Sequence, residues 1–143
     1  NGTKTFKTAG NISLTGGENL TLSSGTYYLN SLSLSGGSTL TIEGTVTIYF
    51  SGSADFTGGV VINKSQDPHD LTFLSAGEAF KLGGGATFYG SITAPNAVVT
   101  LGANSIYYGA VVGKMLELKG DVTIHVDESL PLAIDAPQPS LVK

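Results

Sequence analysis

The sequence predicts an all-β fold: a single-stranded parallel β-helix, or β-solenoid, of about six coils with an extended Pro-containing C-terminal tail. Three observations lead there. Hydrophobic residues make up 41% of the 143 and charged residues only 13%, with 20 glycines, a balance too apolar for disorder and too Gly-rich for helices. Phe88-Tyr89-Gly90-Ser91-Ile92 returns 19 residues later as Tyr107-Tyr108-Gly109-Ala110-Val111. The same apolar spacing around a glycine then extends over most of the chain.

The coils can be taken in order. The first has Ile12 and Leu14, then Gly16, then Leu20; the second has Leu32 and Leu34, Gly36 and Leu40. The third runs Ala54, Phe56, Gly58, Ile62, and the fourth Phe80, Leu82, Gly84, Phe88. The fifth has Val99 and Leu101, with Ala103 in the glycine place, and Tyr107; the sixth has Leu116, Leu118, Gly120 and Ile124. A spacing of two on either side of a glycine describes short strands with one face inward, joined at a bend where a Cβ would obstruct the turn. Such a unit cannot bury its apolar face alone, so the coils must stack, each strand pairing with its equivalent about 4.8 Å away. Antiparallel hairpins would not set one triplet at a constant offset from glycine six times over. The whole chain, 1–143, reads as one domain, with regular coils from about 11 to 126 and a cap or tail over 127–143. The anchors step by 20, 22, 26, 19 and 17 residues, and the longest step holds Asn-Lys-Ser-Gln-Asp-Pro-His-Asp at 63–70, a loop pushed out of the stack. The tail gains Pro131, Pro137 and Pro139 and is expected to run over the last coil or along the side.

Alternation sends three rows of side chains to the surface. One is Ser13, Ser33, Asp55, Lys81, Thr100 and Glu117; a second is Thr15, Ser35, Thr57, Gly83, Gly102 and Lys119; the third is Thr21, Thr41, Asn63, Tyr89, Tyr108 and His125. The first two contain no facing carboxylate pair of the kind glycoside hydrolysis needs, and Asp55 beside Lys81 reads as a surface ion pair. In the third, Tyr89, Tyr108 and His125 form an aromatic ladder, either plain strand-to-strand packing or a ligand platform for sugar rings. Asp67, His69 and Asp70 lie within four residues and offer ligands to Ca²⁺ or, through His69, to a transition metal; as a solvated turn they need no metal, and no cofactor is expected. His125, Asp127 and Ser129 suggest a triad only superficially, since no nucleophile elbow accompanies them; His125, Asp127 and Glu128 read instead as polar closure of the last coil. Thr39-Leu40-Thr41 and Thr45-Val46-Thr47 are too few, on coils too unequal, for an ice-binding array.

Composition excludes some partners. All seven basic residues are Lys and the net charge is −4, so nucleic acid is not an expected partner. There is no Cys, hence no disulfide framework or thiolate metal site. No apolar stretch approaches the roughly 20 residues that span a bilayer, so this segment is not expected to insert in a membrane. The abrupt start at Asn1 reads as a mature or excised domain.

Residues 88–130 resemble the C-terminal β-helical domain, of unassigned function, in bacterial PilX-like pilus-assembly proteins and related surface proteins. The matching features are Tyr89-Gly90, Ala94-Pro95-Asn96-Ala97, Gly109-Ala110-Val111-Val112-Gly113, and the closing His125 with Asp127-Glu128-Ser129-Leu130. The resemblance covers about a third of the chain and implies an extracellular, cell-surface or pilus-associated module without enzymatic activity; the membrane-anchoring helix of such pilus proteins has no counterpart here. Its expected partners are other surface or pilus proteins or a polysaccharide. Two alternatives remain at this point. One is a carbohydrate-binding module using the Tyr ladder, comparable to cellulose-binding tāpirins. The other is a self-assembling filament subunit, since the rungs are also similar to those of bactofilins.

Overall fold

The computed structural model describes residues 3–4, 10–83, 87–102 and 104–127. The expected tail, with Pro131, Pro137 and Pro139, lies outside the described residues, as do Gly84, Ala103, Glu128 and Ser129. Twelve strands follow one another: β1 (Thr3–Lys4), β2 (Asn11–Leu14), β3 (Asn19–Leu29), β4 (Ser31–Leu34), β5 (Ser38–Phe50), β6 (Ala54–Phe56), β7 (Gly59–Asn63), β8 (Leu71–Ser75), β9 (Ala79–Leu82), β10 (Thr87–Leu101), β11 (Ser105–Leu118) and β12 (Val122–Val126). Every ladder between them is parallel, and the chain is a β-solenoid of about six turns. No helix among the described residues is long and apolar enough to cross a membrane.

Each full coil has three sides, one more than the glycine spacing suggests. The first face stacks β2, β4, β6 and β9 with the C-terminal parts of β10 and β11. The second face stacks β1, the N-terminal parts of β3 and β5, then β7, and continues with the N-terminal parts of β10 and β11 and with β12. The third face is built from residues 25–29, 46–50, β8, 91–93 and 110–112. Its bend from the second face is marked by Gly25, Gly44, Gly90 and Gly109, with φ of 153°, 108° and 145° at Gly25, Gly44 and Gly109. At Gly109 an added Cβ would collide with the carbonyl oxygen of Gly90 in the rung below. This explains why the chain repeats Tyr-Gly: two bends stacked in register leave no room for a side chain.

The inward columns fill one continuous core. Leu32, Leu34, Leu40, Ile42, Ile48, Phe73, Phe80, Ile92, Val99 and Leu101 are all at most 1% exposed. Phe73, on the third face, is its hub, with ring centroids 5.8 Å from Phe50, 5.6 Å from Phe56, 5.3 Å from Phe80 and 5.9 Å from Phe88. Aromatic pairs in these tilted and stacked arrangements add about 0.5–1.5 kcal/mol each beyond area burial.

One expected inward position, Ile62, and one expected outward position, Asn63, are corrected. Ile62 faces out, and Val61 takes the inward place beside Leu40. The cause is the corner: three residues separate Leu34 from Ser38, but only Thr57 and Gly58 separate Phe56 from Gly59, which pairs with Ser38. Asn63 consequently turns inward, 5% exposed, where Ile42 sits in the coil below. In the last coil Leu116 and Leu118 are 42% and 46% exposed, because β12 covers only the N-terminal part of their strand and no described strand pairs beyond its C-terminal part.

One buried polar group ties the core to pH. The Tyr107 hydroxyl donates to the Ala110 carbonyl (2.8 Å), and burial pushes its pKa well above the ordinary tyrosine value. A group whose folded pKa is raised contributes stability that is whole below the unfolded value, about 10, and is lost as pH climbs past it toward the folded value. Urea unfolding at pH 7 and at pH 10.5 should therefore show Tyr107→Phe losing about 1 kcal/mol at neutrality, from the missing hydrogen bond. The same variant should lose less than the parent on going to high pH; an equal alkaline loss in both would contradict the burial.

Candidate functional site

The register on the first face reproduces the predicted row: Ser13, Ser33, Asp55, Lys81, Thr100 and Glu117 lie one above another. Asp55 does not close on Lys81, however. Its Oδ1 accepts from the Thr57 hydroxyl (2.6 Å) and backbone N–H (3.0 Å). Burial opposes its ionisation, but the two Thr57 donors and the Lys81 charge together hold the carboxyl below its ordinary value.

The long step between Phe56 and Leu82 forms the loop. The chain leaves β7 at Asn63 and returns through a short 3-10 turn, Pro68–Asp70, into β8. Asp67 caps that turn: its Oδ1 accepts from the His69 backbone N–H (2.9 Å) and meets His69 Nδ1 (2.9 Å). These two interactions, the backbone one first, hold the Asp67 pKa below the usual value. Asp70 is engaged elsewhere, accepting from Thr45 Oγ1 (2.8 Å). The candidate metal ligands Asp67, His69 and Asp70 thus do not point at a common centre, and no group of three or more His, Cys, Asp or Glu among the described residues is placed to hold a metal. Turn chemistry engages Asp67 and His69, and a hydrogen bond to the neighbouring coil engages Asp70.

The loop also interrupts the second face. β7 pairs only with β5 among the described strands, and between it and β10 the Asn63 side chain takes over, donating to the carbonyls of Asp67 (2.9 Å) and Tyr89 (3.1 Å). A cavity of about 20 Å³ beside Phe56, Val61, Leu82 and Phe88 marks this seam. On either side of it two outward columns run along the axis. One is Asn19, Thr39 and Val60, then Thr87, Ile106 and Thr123. The other is Thr21, Thr41 and Ile62, then Tyr89, Tyr108 and His125, so that Ile62 replaces the expected Asn63.

The three aromatic members come together as expected. Tyr89 and Tyr108 stack with centroids 4.9 Å apart and planes within 7°; Tyr108 and His125 stack at 4.5 Å and 9°. Rings so near and so parallel cannot lie side by side in one plane, so each covers part of its neighbour's face in an offset stack. Ring edges, phenol hydroxyls and the imidazole therefore face outward, and a free ring face remains only at the ends of the stack. Gln66 and Pro68 from the loop and Asp127, just past β12, wall the stack into an open cleft of about 480 Å³. That is within the range of small-ligand clefts. His125 and Asp127 share this cleft, whereas Ser129, the remaining member of the apparent triad, lies outside the described residues.

A second stack escaped the sequence reading. Tyr28 and Tyr49, on the third face, pair at 5.0 Å and 15° and are 47% and 40% exposed. The signal was present in Tyr27-Tyr28 and Ile48-Tyr49, but it becomes readable only when a third side is added to the coil.

Comparison with known proteins adds one result. A family model described as a domain of unknown function (DUF7305) matches residues 31–132. The chain belongs to the DUF7305 family. The DUF7305 match takes in the Phe73 hub, the loop, both bends at Gly90 and Gly109 and the whole Tyr89–Tyr108–His125 stack, and leaves the first coil outside. No curated protein and no solved structure matches the chain.

Proposed function

We propose that the domain is a non-enzymatic structural and adhesive module of the extracellular space, carried at the cell surface or on a pilus. The observation that carries this reading is the parallel ladder itself. Three-sided coils held by backbone hydrogen bonds make a stiff rod that presents side chains at fixed intervals, an arrangement suited to display. The surface composition supports an extracellular setting, with few charges and rows rich in Ser and Thr. The resemblance of residues 88–130 to PilX-like proteins supports pilus association, with other surface or pilus proteins as partners. In intact cells carrying the parent protein, a membrane-impermeant amine reagent is expected to label the domain's exposed lysines, Lys81 among them. Labelling only after lysis would contradict the reading.

A second reading is favoured by the cleft over Tyr89, Tyr108 and His125: the module attaches by binding a carbohydrate there. Hydroxyl-lined ring edges supply hydrogen bonds to sugar hydroxyls, and the ends of the stack supply apolar contact for a sugar's C–H face. Pull-down on insoluble polysaccharides should retain the parent domain. The Tyr89→Ala/Tyr108→Ala variant should be retained about tenfold less, as expected when a pair of aromatic contacts is lost. Retention unchanged by the double substitution would remove the cleft from the account.

A further inference from the structure

The second face differs from the first in charge. Its two outward columns contain Asn, Thr, Val, Ile, Tyr and His but no Asp, Glu or Lys, while the matching row of the first face carries Asp55, Lys81 and Glu117. All of the column members are exposed or half-exposed, and Val60, Ile62 and Ile106 are 39%, 45% and 38% exposed. Large apolar side chains left open on a sheet, alternating with hydroxyls and free of charge, make a surface with two chemistries at once. The margins are acidic on balance: Glu18 and Asp121 precede the strands on one side, and Glu43 and Asp127 follow them on the other together with one lysine, Lys64, which pairs with Glu43 (2.8 Å).

From this we infer that the second face docks one neutral, β-linked polysaccharide chain lying along the solenoid axis across the rungs, with the aromatic stack as one end of the track. The inference rests on the carbohydrate reading above and extends it past the cleft to Thr39, Thr41, Val60 and Ile62 on the far side of the seam. Charge complementarity selects the ligand. An acidic chain would meet an excess of carboxylates at the margins and no lysine on the floor, whereas a neutral chain offers C–H faces to Val60, Ile62 and Ile106 and hydroxyls to the threonines and rim carboxylates. Spacing agrees, since two rungs cover about 9.6 Å, close to the length of one disaccharide unit in an extended β-linked chain. Area argues against a second copy of the protein as occupant. Six rungs by a five-residue strand give roughly 400 Å², about half of what each partner contributes to a stable dimer.

The test compares retention of the purified chain on cellulose and chitin (neutral), polygalacturonate (acidic) and chitosan (cationic), with circular dichroism and sedimentation as controls. Val60→Lys lies in the other column and Ile62→Lys in the column of Tyr89 but across the seam; both positions are exposed and neither lines the cleft, and Tyr89→Ala/Tyr108→Ala is the comparison. The expected result is retention on a neutral polymer in preference to the acidic and cationic ones. Each Lys substitution should reduce it about tenfold, because the new charge must lose water against a neutral ligand without a partner, with unchanged spectra. If the Tyr variant loses binding while both Lys variants keep it, the cleft binds sugar and the longer track is overturned. Preference for polygalacturonate or chitosan overturns the neutral assignment. Absence of retention on every polymer overturns both the track and the cleft. A dimer in sedimentation that Ile62→Lys dissociates assigns the face to self-association and likewise overturns the proposal.

Discussion

The structure depends on one constraint: side chains at equivalent places in consecutive coils sit about 4.8 Å apart, so each must be compatible with the residue above it and the one below. Inside, this constraint gathers phenylalanines from separate coils around Phe73 and lays the Phe88 ring on Tyr107 at 5.0 Å. At the bends it demands glycine over glycine, since a Cβ at Gly109 has nowhere to go but the Gly90 carbonyl. Polar corners obey it as well. Asn30 Nδ2 donates to Asn11 Oδ1 (2.6 Å) and Ser51 Oγ donates to Asn30 Oδ1 (2.8 Å), one coil handing its hydrogen bond to the next. Surface ion pairs are minor by comparison: Lys64 with Glu43 (2.8 Å) and Lys119 with Glu117 (3.5 Å) are solvent-exposed and worth under about 1 kcal/mol each.

The same constraint builds the aromatic stacks, which is why their chemistry differs from that of flat sugar platforms. Rings spaced by the rungs overlap and spend their faces on one another, leaving edges outward. What distinguishes Tyr89, Tyr108 and His125 from the Tyr28–Tyr49 stack is their setting. The 63–70 loop, forced out where the coil is longest, raises Gln66 and Pro68 beside them and converts a row into a cleft. The irregularity of the solenoid and its candidate site therefore have one origin.

Much of this was legible in the sequence because a solenoid writes its register as a period. The row from Ser13 to Glu117 and the Tyr89, Tyr108, His125 ladder follow from counting in twos from the anchors, and the structure places them so. Counting failed where a corner changed length. One residue fewer between Phe56 and Gly59 turned Ile62 outward and buried Asn63, and spacing alone cannot measure a corner. The third side stayed hidden because its bends share no single offset from the anchors, although Gly25, Gly44, Gly90 and Gly109 mark them. The roles of Asp67, His69 and Asp70 were open for a different reason. Whether neighbouring polar groups meet or turn apart is decided by backbone direction, and here Asp67 caps its own turn while Asp70 reaches back to Thr45.

Stacking in register can be measured as length. The chain has no native cysteine, so spin labels can be placed in pairs at Ser13 and, in turn, Lys81, Thr100 and Glu117, and their separations read by pulsed dipolar spectroscopy. Three, four and five rungs should give distances of about 14, 19 and 24 Å between the attachment points, rising evenly by one strand spacing. Separations that fail to increase in that order, or that change by unequal jumps, would contradict a solenoid stacked in this register and everything built on its surface.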